Sequence, residues 1–266
     1  MIWIILGLLL IMAGNTLLAA YKKRQFTEPE NPNQGLNEFY DFVGPTTVTD
    51  DGGTRFYTLH GVPFRGTTDV AATSSISEGT LIEGGYAGNL RVRLLGQEII
   101  EMHTASQFYL PNQFTRLQMF LRLGAATDLH SACLYGFNAS GATSATGMRA
   151  LGGALLFTYA FYRDLTISNN WMVIYQTGEA FIFNRVITTV PITNAPTLLR
   201  LECVGTNIYY YINNTLVHTA TNVYFDATGG TAIQINMAGD DPTAFTDTNL
   251  DAIKITQLYD SPRSFV

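Results

Sequence analysis

Three residue patterns in this chain bear on chemistry. The first is an oxygen-rich stretch between Gly239 and Asp251, where Asp240, Asp241, Asp247, Asn249 and Asp251 lie close together. Calcium takes about six to eight oxygen ligands from carboxylates and carbonyls, so these five residues form a candidate Ca2+ site. The competing reading is a solvated turn whose Asp and Asn side chains bond their own backbone. The second pattern is paired acids. Cleavage of a glycosidic bond uses two carboxylates flanking the bond. Glu78 and Glu83 are five apart and Glu98 and Glu101 three apart. An odd spacing sends the two members to opposite faces of a strand. The expectation is no catalytic residue and no enzyme. The third pattern is aromatic. In the run Tyr209-Tyr210-Tyr211, alternation turns Tyr209 and Tyr211 away from the core. They are candidates for stacking on a sugar ring or on a neighbouring subunit, with cross-strand ladder packing as the alternative. His60, His103, His130 and His218 show no metal-ligand spacing. Cys133 and Cys203 read as reduced core residues. The small-residue stretch from Asn138 to Gly153 has no phosphate-binding Gly-Lys signature and reads as an adaptable contact loop.

The elements that must position these residues are strands. Leu90, Val92 and Leu94 alternate with Arg91 and Arg93, and Leu117, Met119, Leu121 and Leu123 share a face opposite Gln118 and Arg122. The same period of two recurs at Tyr159 and Phe161, at Trp171, Val173 and Tyr175, at Ile233, Ile235 and Met237, and at Ile253 and Ile255. Leu198 to Thr219 reads as a three-stranded meander with turns at Gly205-Thr206-Asn207 and Asn213-Asn214. No segment in this part promises an amphipathic helix of more than two turns. Many strands with short polar turns imply an all-β fold, an antiparallel β-sandwich in which each sheet covers the other.

The chain's 266 residues carry a net charge of −6, with 47% hydrophobic and only 14% charged residues. That balance excludes disorder and offers no electrostatic footprint for nucleic acid. The first segment stands apart. Ile2 to Ala20 contains no charge, and its 19 residues would span roughly 28 Å as a helix, about one hydrocarbon core. Ile2, Trp3, Ile4, Ile5, Leu8, Leu9, Leu10, Ile11, Leu17 and Leu18 are the expected anchor residues. Lys22, Lys23 and Arg24 follow at the membrane interface and orient it with the rest of the chain on the cytoplasmic side at synthesis. A helix packed inside a protein assembly is the competing reading. The expected organisation is a single apolar α-helix over 1–21, a polar proline-containing linker over 22–36, and the β-sandwich over 37–266.

The stretch LLRLECVGTNIYYYINNTLVHT resembles the meander of concanavalin A-like sandwiches, a group of lectin, laminin-G and glucanase domains. Leu199, Leu201, Gly205, Ile208, Tyr211, Ile212, Asn213, Asn214, Leu216 and Val217 carry the likeness, and Leu250 to Ile255 resembles the closing strand of that fold. The opening Asn37 to Phe42 looks like the start of many phage virion proteins of this type. The resemblance implies a concanavalin A-like jelly roll, and it leaves lectins, glycanases and virion scaffolds as candidates. Glycanases of this kind would show Glu-x-Asp-x-x-Glu, a spacing not found here. The expectation is therefore a virion structural protein, a minor capsid or spike-associated component anchored in a membrane derived from the host during assembly. Its expected partners are the lipid membrane, other capsid proteins, further copies of itself as a homo-oligomer, and a host glycan. The alternatives are a non-catalytic cell-surface glycan-binding module and a filament or pilus subunit.

Overall fold

Among the described residues the period-two pattern builds seventeen strands. In the computed structural model of the chain, the residues described are 34–42, 46–51, 54–59, 64–69, 74–78, 89–104, 114–124, 131–138, 144–150, 157–178, 182–225, 231–242 and 245–258. The strands run β1 (Gln34–Tyr40), β2 (Thr46–Asp51), β3 (Thr54–Leu59), β4 (Phe64–Asp69), β5 (Ser75–Glu78), β6 (Leu90–Leu95), β7 (Ile99–Thr104), β8 (Phe114–Leu123) and β9 (Ser131–Asn138). After one short helix, α1 (Ala145–Ala150), come β10 (Tyr159–Asp164), β11 (Asn170–Thr177), β12 (Ile182–Pro191), β13 (Thr197–Val204), β14 (Asn207–Ile212), β15 (Thr215–Ala220), β16 (Ala232–Gly239) and β17 (Phe245–Leu258).

They form two antiparallel sheets. An eight-stranded sheet runs β15-β14-β13-β8-β17-β6-β5, with β1 also paired to β17, and a nine-stranded sheet runs β12-β11-β10-β9-β16-β7-β4-β3-β2. The inward faces meet in one core. Leu117, Met119, Leu121 and Leu123 of β8 and Leu199, Leu201 and Cys203 of β13 lie against Tyr135, Phe161, Trp171 and Ile235 of the other sheet. Polar tips inside this core find partners. The Tyr210 hydroxyl donates to the Ile174 carbonyl at 2.9 Å, and the Tyr135 and Thr248 hydroxyls bond at 2.7 Å. The meander folds as its sequence demands, because Asn213 and Asn214 both take positive φ (49° and 66°) and close the two-residue turn between β14 and β15.

The all-β antiparallel sandwich is as expected. The expected N-terminal helix lies outside the described residues, as do its anchor residues from Ile2 to Leu18 and Lys22, Lys23 and Arg24. Among the described residues no helix is long and apolar enough to cross a membrane. Two local expectations change. The stretch read as an adaptable loop carries α1, whose Ala145 and Met148 are buried against the outer face of the nine-stranded sheet. The stretch read as an acidic loop is largely strand, since Asp247, Asn249 and Asp251 all lie within the 14 residues of β17. A register shift between Leu250 and Ala252 re-phases that strand, so that Thr248 and Leu250 before it and Ile253 and Ile255 after it all face the core.

Candidate functional site

The outer face of the nine-stranded sheet holds a group of buried polar side chains. The register fixes two rows across it. One runs Thr58, Arg65, His103, Gln234, Gly136, Ala160 and the other Phe56, Thr67, Glu101, Asn236, Leu134, Tyr162, through β3, β4, β7, β16, β9 and β10. The alternate residues of the same strands, Tyr57, Met102, Ile235 and Tyr135, fill the core. Strand alternation therefore forces this second set outward.

Burial changes along the rows. Phe56 is 38% exposed, Glu101 and His103 are half-buried, and Gln234 and Asn236 are 3% and 0% exposed. Beyond β16 the face becomes apolar. Ala132, Leu134, Ala160, Tyr162, Met172, Ile174 and Ala238 pack under Ala145 and Met148 of α1. Gly136 lets β10 approach at this point, for a Cβ there would meet the Tyr159 carbonyl and the Ala160 Cα. Arg149 fastens α1 in place. Its Nε donates to Asp164 Oδ2 at 2.6 Å, and a second guanidinium nitrogen bonds Asp240. Asp164 is fully buried, and it also accepts from the Tyr162 hydroxyl at 2.9 Å and from the Thr166 backbone and hydroxyl.

At the margin of this cover stand four adjacent polar side chains. Glu101 and His103 share a face of β7 with a carboxylate–imidazole distance of 3.1 Å. Their register partners on β16 are Asn236 and Gln234. Both nitrogens and both oxygens of these two amides are buried and have no hydrogen-bond partner among the described residues. An amide held this way forfeits roughly 1–3 kcal/mol. Glu101 adds an acceptor, His103 and the exposed Arg65 add polar contacts, and Phe56 adds an exposed ring two strands away. The accessible members of the group are Phe56, Arg65, Glu101 and His103, which set a ring, a cation, a carboxylate and an imidazole on one face, with the two amides buried beside them.

The residues singled out from sequence are placed elsewhere. Tyr209 and Tyr211 lie half-buried on the outer face of the eight-stranded sheet, where Arg200 stacks over the Tyr211 ring at 3.9 Å. Asp247 faces outward on the same sheet and accepts from the guanidinium of Arg93 at 2.9 Å and from that of Arg91. Asp240 belongs to the other sheet's end and is bound to Arg149. Asp251 is fully buried at the register shift of β17, and Asn249 is 6% exposed. Among the described residues no cluster of three or more His, Cys, Asp or Glu is placed to hold a metal. Cys133 and Cys203 are free, buried thiols, pushed up in pKa by burial. Sequence reasoning missed Gln234 and Asn236. Their signal was present as two amides at period-two spacing between Ile233, Ile235 and Met237, a polar face on a strand read for its apolar one.

No known protein family matches the chain, and no curated protein matches it. Solved structures do share its architecture. A protein of unknown function from Shewanella oneidensis MR-1 aligns with TM-score 0.53 at 11% identity, covering 92% of this chain and 95% of its own. A LamA variant from Z. galactanivorans, in complex with laminaritriose and laminaritetraose, aligns with TM-score 0.52 at 10% identity over 86% of this chain and 100% of its own. A structure from work on endo-acting O-glycanases of the human gut microbiota aligns with TM-score 0.52 at 13% identity, covering 84% and 99%. The chain has the concanavalin A-like β-sandwich fold. This corrects the expectation that it is no enzyme. The missing Glu-x-Asp-x-x-Glu spacing argued against one catalytic arrangement, whereas the fold itself is shared with a structure from work on endo-acting O-glycanases.

Proposed function

We propose that this chain is a saccharide-recognising β-sandwich of a virion, tethered to a membrane by its apolar N-terminal segment. The observation that carries the recognition half is the accessible row Phe56, Arg65, Glu101 and His103, backed by the buried amides of Gln234 and Asn236, which have no hydrogen-bond partner among the described residues. A sugar offers vicinal hydroxyls that donate to and accept from an amide at once, together with a C–H face that packs on an aromatic ring. Phe56, Arg65, Glu101 and His103 present those complements across adjacent strands. The fold's occurrence with bound laminari-oligosaccharides in another protein supports the reading. The tether half rests on the uncharged Ile2 to Ala20 stretch and the Lys22-Lys23-Arg24 cluster behind it, and the low charge of the chain suits burial against other capsid subunits.

The test is a glycan array probed with the full chain in detergent micelles, with released reducing ends measured on every glycan that binds. Binding to a defined saccharide class that Asn236→Leu and Glu101→Gln each abolish supports the proposal. Binding that survives both substitutions removes this face as the site.

A further inference from the structure

The eight-stranded sheet turns a second, differently built face outward. Arg91 and Arg93 of β6, Arg116 and Arg122 of β8 and Arg200 of β13 alternate with the buried Leu90, Val92, Leu94, Leu117, Leu121, Leu199 and Leu201 and so share that face. Five arginines of the 15 basic residues therefore lie on one sheet surface in a chain of net charge −6. The opposing carboxylates there are Glu202, paired with Arg116 and Arg200, and Asp247, paired with Arg91 and Arg93. Lys254 and Asp251 of β17 are buried and add one charge of each sign. The face is left with a surplus of about three positive charges by this count. Arg122 makes no ion pair among the described residues. Aromatic side chains alternate with the cations, with Arg93 over Phe245, Arg116 over Phe114 and Arg200 over Tyr211.

The tether enters this same sheet, because β1 pairs with β17. The preceding residues hold the uncharged stretch 2–20 and the cations Lys22, Lys23 and Arg24. Residues 21–33 reach at most about 45 Å when extended, so they keep the sandwich beside whatever surface the apolar stretch occupies. We propose that the arginine face of the eight-stranded sheet docks on an anionic lipid surface, which leaves the amide-lined face of the opposite sheet directed away from the membrane. Arginines bind phosphate in a bidentate way, and interfacial aromatics sit at headgroup level. The inference rests on the tethering half of the proposed function and on none of its saccharide chemistry.

The experiment uses the full chain in vesicles of phosphatidylcholine alone or with phosphatidylglycerol, each carrying a headgroup quencher. A fluorophore is attached at Leu216→Cys, on β15 beside Tyr211, or at Ile187→Cys, on the opposite sheet; both positions are about half exposed. The buried Cys133 and Cys203 stay unlabelled in the folded protein. Vesicle flotation reports anchoring independently. The expected result is flotation in both lipids, with quenching at position 216 and not at 187 only in the anionic vesicles. That quenching is lost at high salt and reduced by Arg122→Gln and by Arg200→Gln. Flotation without quenching at 216, or equal quenching in neutral vesicles, overturns the docking and leaves the tether standing. Failure to float overturns the tether and the docking with it.

Discussion

Replacing the two buried amides is the sharpest perturbation of the proposed site. Gln234→Met and Asn236→Leu keep the approximate side-chain shape and remove all four unpartnered polar atoms. A buried polar group without a partner costs about 1–3 kcal/mol, and replacing it with an apolar group of similar shape returns part of that. Overpacking subtracts from the gain, most at Asn236, which is 0% exposed. The net expectation for the unliganded protein is about 1 kcal/mol of added stability per substitution, a rise in Tm of roughly 2–4 °C for a domain of this size. Saccharide binding falls at least tenfold in the same variants, since each lost ligand hydrogen bond leaves a hydroxyl buried without a partner. Calorimetric unfolding and titration of one protein preparation read both effects. Stability lowered by more than about 1 kcal/mol in both variants would refute the reasoning, because the amides would then be satisfied in the free protein.

Three further outcomes follow from the same contacts. Arg149→Met removes the ties from α1 to Asp164 and Asp240, so denaturant unfolding should show a loss of about 1.5–3 kcal/mol, the range for hydrogen bonds to charged groups, with Arg149→Lys recovering only part of it. Burial holds the His218 imidazole below its usual 6.5, while Asp247 stays below 3.8 because the Arg91 and Arg93 guanidiniums outweigh the opposing effect of its own burial. Both depressed groups give stability that is present above their unfolded values. Chemical unfolding across pH should therefore weaken as pH falls below about 6.5 and again below about 4, and His218→Phe should erase only the first step. Burial raises the Cys133 thiol despite the neighbouring Arg163, and raises Cys203 as well, so a thiol reagent at pH 8 should leave both unmodified in the folded chain and modify both in denaturant.

The sandwich was legible because its strands alternate cleanly, as Leu90 to Leu95 and Phe114 to Leu123 do, and because Gly205 and the Asn213-Asn214 pair mark their turns. Three features were not legible. The antiparallel pairing of β17 with β6 places Asp247 beside two arginines of β6, a neighbour 154 residues away for Arg93, which no local pattern announces. Alpha-helix α1 has six residues, Ala-Thr-Gly-Met-Arg-Ala, too short for a visible apolar stripe, and it exists because Ala145 and Met148 bury against a sheet while Arg149 reaches Asp164. The polar face at Gln234 and Asn236 emerges only when β7 and β16 pair, since Glu101 and His103 lie more than a hundred residues earlier in the chain. The expectation of no catalysis came from the odd spacing of the glutamate pairs and one absent motif, neither of which reports on carboxylates brought together by strand pairing.

The central claim is that the amide-lined face of the nine-stranded sheet binds a saccharide. The most direct measurement is an NMR or hydrogen-exchange map of the full chain with and without a glycan selected from the array. The expected result is protection concentrated on β4, β7 and β16 around Arg65, Glu101, His103, Gln234 and Asn236. Protection confined to the eight-stranded sheet around Tyr209 and Tyr211, with β16 unchanged, would contradict it.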